Sequence, residues 1–379
     1  YITKFIPWGA WRNAKNPHVR KALDWVDAIV FALVGVWIIN TFFFQNYHIP
    51  SSSLEKSLLV GDFLCVSKVS YGARSPMTPL SLPLMQHTFP IFGFKSYLEI
   101  PQLDYKRFAG TGQIERNDIV VFNYPSGDTV ALNYQNQDYY LLCKNVAKGN
   151  TYNPNDTRTN IELITEGRRM VQGNKNIYGN VVYRPVDRRE NYVKRCVGLP
   201  GDTLSIIDNI IHINSKAMAS PEKMELLYCV QTKGSLISPS VFSELGMSDE
   251  DKSRAIPDYI DLSKEDSTSF VRKVFDISDT EPEYLYRSVN MTKEMVEVLK
   301  KKPFVKRIIS TNEYYKEINK VFGRVVYTQS DIYPITYNMM VEPGDFPKLW
   351  IPQRGATIKF DTDIEYKVAA YERCIKNYE

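Results

Sequence analysis

From Ala28 to Phe44 the chain runs for 17 residues without a charged side chain, and counted from Ala22 the run is 23 residues with Asp24 and Asp27 at an interface. A helix of that length reaches about 30 Å, the thickness of a bilayer's hydrocarbon core. Such a helix must either cross lipid or be wrapped in the core of a soluble protein. A cleaved signal peptide is a further alternative, but its apolar stretch would be followed by small residues, and Phe42-Phe43-Phe44 stands here. Trp25 and Trp37 suit interfacial anchoring. Lys4, Arg12, Lys15, Arg20 and Lys21 precede the run with no acid among residues 1–21. The positive-inside rule then predicts a cytoplasmic basic segment (1–21), a single span (22–44) and the bulk of the chain outside.

With 379 residues there is room for two or three domains and a sizeable core. A net charge of +4, with no basic stripe interleaved with aromatics, gives no footprint for nucleic acid. Cys65, Cys143, Cys196, Cys229 and Cys374 are odd in number, widely spaced and form no CxxC, so neither a disulfide framework nor a zinc site is indicated. The 25 tyrosines favour β-structure over a helical bundle. The absence of an initial Met and the charged run Tyr371 to Glu379 suggest a fragment.

Directly after the apolar run comes His48-Ile-Pro-Ser-Ser-Ser-Leu-Glu-Lys-Ser-Leu-Leu-Val-Gly-Asp62. Alone, it reads as a serine-rich linker opening on a proline and closing on a Gly-Asp turn. Phe63 to Tyr71 then reads as a strand. Residues 72–113 are rich in Pro, Leu and Gly and read as an ordered apolar loop, packed on the core or touching lipid or a partner. Arg116 to Pro125 is a turn feeding an apolar strand. Residues 127–180 are polar and Asn-rich, an excursion with one short helix around Ile161 to Gly173. Asn191 to Gly198 is a strand with Lys194 in its middle. Thr203–Ile207 and Ile210–Ile213, joined by Asp208-Asn209, form a hairpin. Residues 217–345 carry mixed-charge helical stretches and read as a mainly helical insertion. Trp350 to Lys359 returns to turn and strand, and Asp361 to Tyr378 spaces Ile364, Val368, Tyr371 and Ile375 as a closing helix.

The common catalytic patterns are missing: there is no GxSxG, no HExxH and no P-loop. His18, His48, His87 and His212 are scattered, and only sequence proximity connects His48 to a Ser-His-Asp triad. A serine loses its proton only to a base, and a lysine serves as one only when neutral. From a reference near 10.4, work near neutral pH needs a depression of about 3 units, about 4 kcal/mol, which burial among apolar groups supplies. Lys194 stands among Tyr192, Val193, Cys196 and Val197, with strand alternation putting it on the face of Tyr192 and Cys196 and Arg195 on the other. The plainer reading is an edge strand carrying a solvated Lys-Arg pair.

Together these stretches resemble the bacterial type I signal peptidases, membrane-anchored Ser/Lys proteases that remove signal peptides from exported proteins. The nucleophile motif of that family resembles Pro-Ser-Gly-Ser-Met followed by a Leu-rich run and Gly-Asp. Here it stands as Ile49-Pro50-Ser51-Ser52-Ser53-Leu54 and Leu58-Leu59-Val60-Gly61-Asp62. The second motif is similar to Asn117-Asp118-Ile-Val-Val-Phe122, and the lysine motif to Tyr192-Val-Lys194-Arg195-Cys-Val-Gly-Leu-Pro-Gly-Asp202. The resemblance implies Ser53 as nucleophile and Lys194 as general base. It implies an oxyanion hole from the Ser51 hydroxyl and the Ser53 backbone N–H, and shallow pockets lined by Ile49, Leu54, Leu58, Tyr192 and Val193. It implies a preprotein signal peptide bound as an extended strand, contact with membrane lipid and translocation machinery, and no metal or organic cofactor. The place it implies is the bacterial inner membrane, with the catalytic domain extracytoplasmic.

The fold it implies is a mainly β catalytic domain of folded sheets with an N-terminal transmembrane helix and a mixed, partly helical insertion. The expected divisions are a catalytic β domain over 45–216 (insertions 72–113 and 127–180), an inserted α-rich domain over 217–345, and a return strand and helix over 346–379. Four departures stand out. Ser52 replaces a glycine, which matters if the loop needs φ > 0 there. Leu54 replaces a methionine of similar volume, and Glu55-Lys56-Ser57 stands for Met-Pro-Thr. The family's late Gly-Asp-Asn-Arg-like motif has no counterpart, since Gly344-Asp345 continues as Phe346-Pro347. Truncation and degeneracy both remain open, the missing initial Met favouring truncation. The rival function is an inactive membrane-anchored binding module that holds a partner through 217–345. A self-cleaving Ser/Lys regulator fits the membrane span poorly.

Overall fold

The computed structural model describes residues 15–89, 94–149, 156–259, 274–277, 280–323 and 331–376. Lys4 and Arg12 of the basic segment, Pro90, and the end of the closing run at Tyr378 lie outside them. Helix α1 spans Pro17–Phe42. Asn16 caps it, its side chain accepting from the His18 N–H at 2.9 Å, and Pro17 takes the first turn, where its missing N–H has no intrahelical partner to lose. The helix therefore starts ahead of the expected boundary at residue 22, and Phe44 belongs to the strand that follows. It is long and apolar enough to cross a membrane, and none of its residues is buried.

Strands β1 (Phe44–His48) and β2 (Phe63–Ser67) pair antiparallel, His48 opposite Phe63. The serine stretch is thus the connection of a hairpin, not a free linker. Its neck is closed by the Ile49 N–H on the Asp62 carbonyl and the Gly61 N–H on the Ile49 carbonyl, both 2.9 Å. Gly61 sits at φ 97, a region open to glycine at little steric cost. The apolar loop after β2 packs in part, Phe108 meeting Phe42 of α1 edge-on at 6.1 Å between ring centroids.

Strand β3 (Ile119–Asn123) is followed by β4 (Thr129–Ala131), α2 (Tyr139–Lys148), α3 (Asn160–Gly173), α4 (Lys175–Tyr178), β5 (Val181–Tyr183) and β6 (Asn191–Arg195). β3 pairs with β6, Val120 opposite Lys194, and β4 with β5. The excursion expected to hold one short helix around Ile161 to Gly173 holds that helix as α3, with α2 packed against it and the short α4 following. Asp138 caps α2 by accepting from the Tyr140 and Leu141 N–H groups, a start signal obscured by the surrounding Asn, Gln and Tyr. The two helices approach so closely that a Cβ on Gly167 would lie 1.9 Å from the Cys143 carbonyl oxygen.

The hairpin of β7 (Thr203–Ile207) and β8 (Ile210–Ile213) stands as expected, with Asp208 and Asn209 at φ 49 and 63 in its turn. β9 (Lys216–Ala217) adds to one side of it.

Residues 217–345 differ from the mainly helical expectation. They hold β10 (Glu225–Lys233), α5 (Pro239–Glu244), α6 (Asp249–Arg254), β11 (Pro257–Tyr259), β12 (Glu283–Thr292), α7 (Lys293–Lys300), β13 (Val305–Ser310) and α8 (Thr311–Phe322). The strands form one antiparallel sheet in the order β11-β12-β10-β13. Val230 and Tyr286 pack with Phe242 of α5 and Leu299 of α7, while Cys229 and Leu285 pack with Tyr314 and Ile318 of α8. With both faces covered, the strands lose the apolar-polar alternation that marks a half-exposed sheet. The charged helices around them carried the visible pattern.

The return strand β14 is Phe346–Trp350, earlier than Trp350 to Lys359, and it pairs with β7. The chain's last described element, α9 (Ile364–Lys376), matches the expected closing helix. β-rich sheets, one apolar N-terminal helix and a mixed insertion make up the expected class of fold.

Candidate active site

The hairpin connection tightens at its tip into a short 3-10 turn over Ser52–Leu54, entered from Ser51 in extended geometry (φ −138, ψ 152). The first N–H groups of such a turn have no internal acceptor. Ser51 does not supply one, since its side chain makes no capping bond. The Ser52 N–H is taken instead by the Glu250 carboxylate at 3.0 Å. The Ser53 N–H has no acceptor among the described residues, and Ser51 and Ser53 are both exposed. Ser52 does not stand at positive φ, so serine in place of glycine brings no backbone strain here. It is instead a buried residue that faces the insertion.

Lys194 reaches this tip from β6. Its Nζ donates to the Ser53 Oγ across 141 positions of sequence, and it lies 6.0 Å from the centre of the Tyr192 ring on the same strand face. The alternation that pairs Lys194 with Tyr192 sends Val193 to the other face. Tyr192 is itself stacked on Tyr124 at 4.5 Å, which fixes the ring beneath the lysine stem. Desolvation by partial burial lowers the Lys194 pKa from 10.5.

Arg195, expected on the face opposite Lys194, also reaches the hairpin, its Nη2 donating to Ser57 Oγ at 3.1 Å and its Nη1 to the Asn117 carbonyl at 2.9 Å. The serine loop wraps the end of β6, so consecutive residues of that strand hold two points of it.

The turn after β6 is bolted down by its aspartate. Asp202 accepts from Arg116 at 2.7 Å, from Asn214 at 3.0 Å and from the Leu199 N–H at 2.8 Å, and these bonds hold its carboxyl below the usual range. Backbone bonds between Gly201 and Ile351 and between Ile351 and Asp202 tie the same turn to the exit of β14. Asn117 and Asp118 extend the β3–β6 pair past its end, the Asn117 N–H on the Cys196 carbonyl and the Cys196 N–H on the Asp118 carbonyl. The motif residues that carried the resemblance therefore form one scaffold beneath Lys194.

An open pocket of about 550 Å³ lies beside the tip, lined by the loop from Ser51 to Ser57 and, from the insertion, by Pro221 to Glu225, Glu250, Arg254 and Asn290. Of the five residues expected to line substrate pockets, Leu54 borders this one. Ile49 is buried beneath the loop, Leu58 is half-buried, and Tyr192 and Val193 lie on β6. Sequence reading missed Glu250, Glu225 and Arg254, because nothing in an acidic helix start marks a residue that folds back onto a site 198 positions away.

The described residues hold no group of three or more His, Cys, Asp and Glu side chains suited to a metal ion. What the arrangement offers is a hydroxyl facing a lysine of depressed pKa, beside an unengaged backbone N–H. Serine hydrolases of the Ser/Lys kind need these parts.

Residues 22–233 match the model of the family described as signal peptidase, peptidase S26, more than half of the chain, and the chain belongs to that family. It is similar to the signal peptidase I of Buchnera aphidicola subsp. Acyrthosiphon pisum, 22% identical over 287 residues, which are 74% of this chain and 61% of the relative. The signal peptidase I of Haemophilus influenzae is 36% identical over 65 residues, 17% of this chain and 19% of the relative. That of Aquifex aeolicus is 29% identical over 119 residues, 28% and 42% of the two chains. The matches thus span less than two thirds of these relatives' own lengths.

Proposed function

We propose that this chain is a membrane-bound serine endopeptidase that removes signal peptides from exported preproteins with a Ser53–Lys194 dyad. The observation that carries this reading is the bond between Lys194 Nζ and Ser53 Oγ at the tip of the β1–β2 hairpin. Lys194 as the neutral amine takes the hydroxyl proton while Ser53 Oγ attacks the scissile carbonyl carbon. The oxyanion that forms is met by the Ser53 N–H and the Ser51 hydroxyl. The protonated lysine then gives its proton to the departing amine of the mature protein, and the acyl-serine is hydrolysed by a water that Lys194 deprotonates in turn. As the acyl bond breaks, Lys194 passes the proton taken from that water to Ser53 Oγ, so nucleophile and base end as they began.

Placement at a membrane is supported by α1, apolar and without a buried residue, and by the hairpin beside it. Phe43, Phe44, Leu59, Val60 and Phe63 are all exposed there, Phe63 at 81%. A cluster of that kind next to an apolar helix fits lipid contact. The reading places residues 1–21 in the cytoplasm, the span over 22–44, and the site outside the bacterial inner membrane. Residues 45–216 and 346–379 then form the catalytic part, with 217–345 as an insertion.

The test uses the full-length protein in detergent with a preprotein substrate. Wild type is expected to release the mature protein, and Ser53→Ala and Lys194→Ala to lose that activity. Equal rates in all three would remove the dyad. Wild type that binds the preprotein but never cleaves it would favour the binding-module alternative.

A further inference from the structure

The nucleophile turn is strapped to the insertion on both of its sides. Ahead of Ser53, the Ser52 N–H donates to Glu250 Oε2 at 3.0 Å. After Ser53, Lys56 stands at φ 68, a backbone geometry closed to the proline that resembling sequences carry at this point. Its ammonium donates to the Gly246 carbonyl and lies 4.0 Å from Glu225. Two of the places where the motif departs from the family's pattern, Ser52 and Lys56, are therefore places where the insertion grips it.

Three elements of the insertion converge here. Glu250 sits in the first turn of α6, whose start is fixed by the Ser248 side chain accepting from the Asp251 N–H. Asn290 of β12 donates to Glu225 at 3.0 Å and to Asp251 at 3.2 Å, joining β10 and α6. Arg254 pairs with the second oxygen of Glu250 at 2.5 Å. That pairing matters chemically, because a bare carboxylate beside a developing oxyanion would oppose it, and Arg254 offsets the charge.

We infer that Glu250 is a positioning residue for Ser53: by accepting from the Ser52 N–H it fixes the 3-10 turn, aiming the Ser53 Oγ at Lys194 and leaving the Ser53 N–H open to the oxyanion. The inference rests on the Ser53–Lys194 reading above. It gives the insertion a part in the chemistry, since the holds from β6 and from Gly246 are on the side chains of Ser53, Ser57 and Lys56, whereas Glu250 holds the backbone of the turn itself. Displacing a reacting group by about 1 Å slows a reaction by about 100-fold.

Two measurements on full-length protein in detergent test it: preprotein cleavage kinetics, and amide hydrogen exchange over residues 50–58. Glu250→Ala is expected to lower kcat by about 10- to 100-fold with KM little changed, and to speed exchange at the Ser52 amide. Glu250→Gln keeps an acceptor oxygen, so it should recover most of kcat and the amide protection. Unchanged exchange in Glu250→Ala overturns the inference, as does faster exchange with unchanged kcat, and so does an equal loss in both variants. Should wild type fail to cleave, the Ser/Lys reading fails and the positioning role falls with it, while the exchange arm still reports whether the strap exists.

Discussion

Replacing Lys194 by arginine isolates what the proposed Ser53–Lys194 dyad asks of this residue. Arginine keeps the cation, the reach and the hydrogen bond to Ser53, but it does not give up its proton in a protein. Lys194 is half-buried, its pKa is lowered by desolvation, and no carboxylate pairs with it among the described residues. Its ammonium form is thus held without an opposing charge, a setting that favours release of the proton. General-base catalysis is worth about 10²–10⁴ in rate, or about 3–5 kcal/mol of barrier. Both Lys194→Arg and the neutral Lys194→Met are therefore expected to lose at least about 100-fold in kcat, with KM changing little. Lys194→Met removes a partly desolvated charge and breaks no ion pair, so its unfolding midpoint should not fall, which separates lost chemistry from lost structure. The Ser53→Ala/Lys194→Met double variant should be no slower than either single one, because the two groups act as a unit. The assay is preprotein cleavage in detergent at several pH values, with thermal unfolding alongside. In wild type the rate should rise with pH as Lys194 deprotonates, with a midpoint below the ordinary lysine value. Lys194→Arg with more than a tenth of wild-type activity refutes the base assignment.

Ser51→Ala is expected to lower kcat by about 10²–10³ with KM little changed, and Ser51→Thr, which keeps a hydroxyl, to recover part of it; steady-state cleavage kinetics decide. Glu225 is pushed up to about 7, first by burial and then by Asp251, with Glu55 adding to the shift and Lys56 opposing it. The folded chain therefore keeps a proton that the unfolded chain has released above about 4.5, and stability from this group, full below that pH, is lost as pH rises through about 7. Thermal unfolding between pH 4.5 and 8 should show that decline, and Glu225→Gln should flatten it. Phe63→Ser, on the exposed end of β2, should slow cleavage more in lipid vesicles than in detergent; equal slowing in both would argue against contact with the bilayer surface.

Local signals made much of the catalytic part legible. The Asp208-Asn209 turn set the β7–β8 hairpin, and the apolar run set α1, because each depends on residues adjacent in sequence. Lys194 stood out as a cation in an apolar strand, and its meeting with Ser53 followed from motif order, though no local rule says which distant strand closes on the loop. The contact of Arg195 with Ser57 was hidden for a related reason: alternation assigns a side chain to a face but does not say that a loop wrapping the strand's end meets both. The insertion was hidden by its own packing, for a sheet covered on both faces shows no period of two. Glu250 was out of reach altogether, since a glutamate in the first turn of an acidic helix is the ordinary means of favouring a helix start.

The hairpin gives a length to the relation between anchor and site. One residue separates the end of α1 from β1, and β1 carries the chain through five residues to Ile49 and the serine turn. At about 3.3 Å per residue that is about 17 Å. With α1 in the bilayer, the exposed Phe43 and Phe44 lie at its boundary. Phe63, paired with His48, lies at the opposite end of β1, beside the loop that carries Ser53. An apolar residue exposed at the far end of the hairpin, as well as at the end nearest α1, is explained if the hairpin lies along the membrane surface. Standing away from the membrane, it would leave Phe63 in water for no gain. In the lying arrangement the proposed nucleophile Ser53 stands near the membrane surface, the depth that the proposed function requires for a signal peptide's cleavage site. The insertion, gripping Ser52 and Lys56, then holds the turn against the lateral freedom that a hairpin resting on a fluid surface would otherwise have.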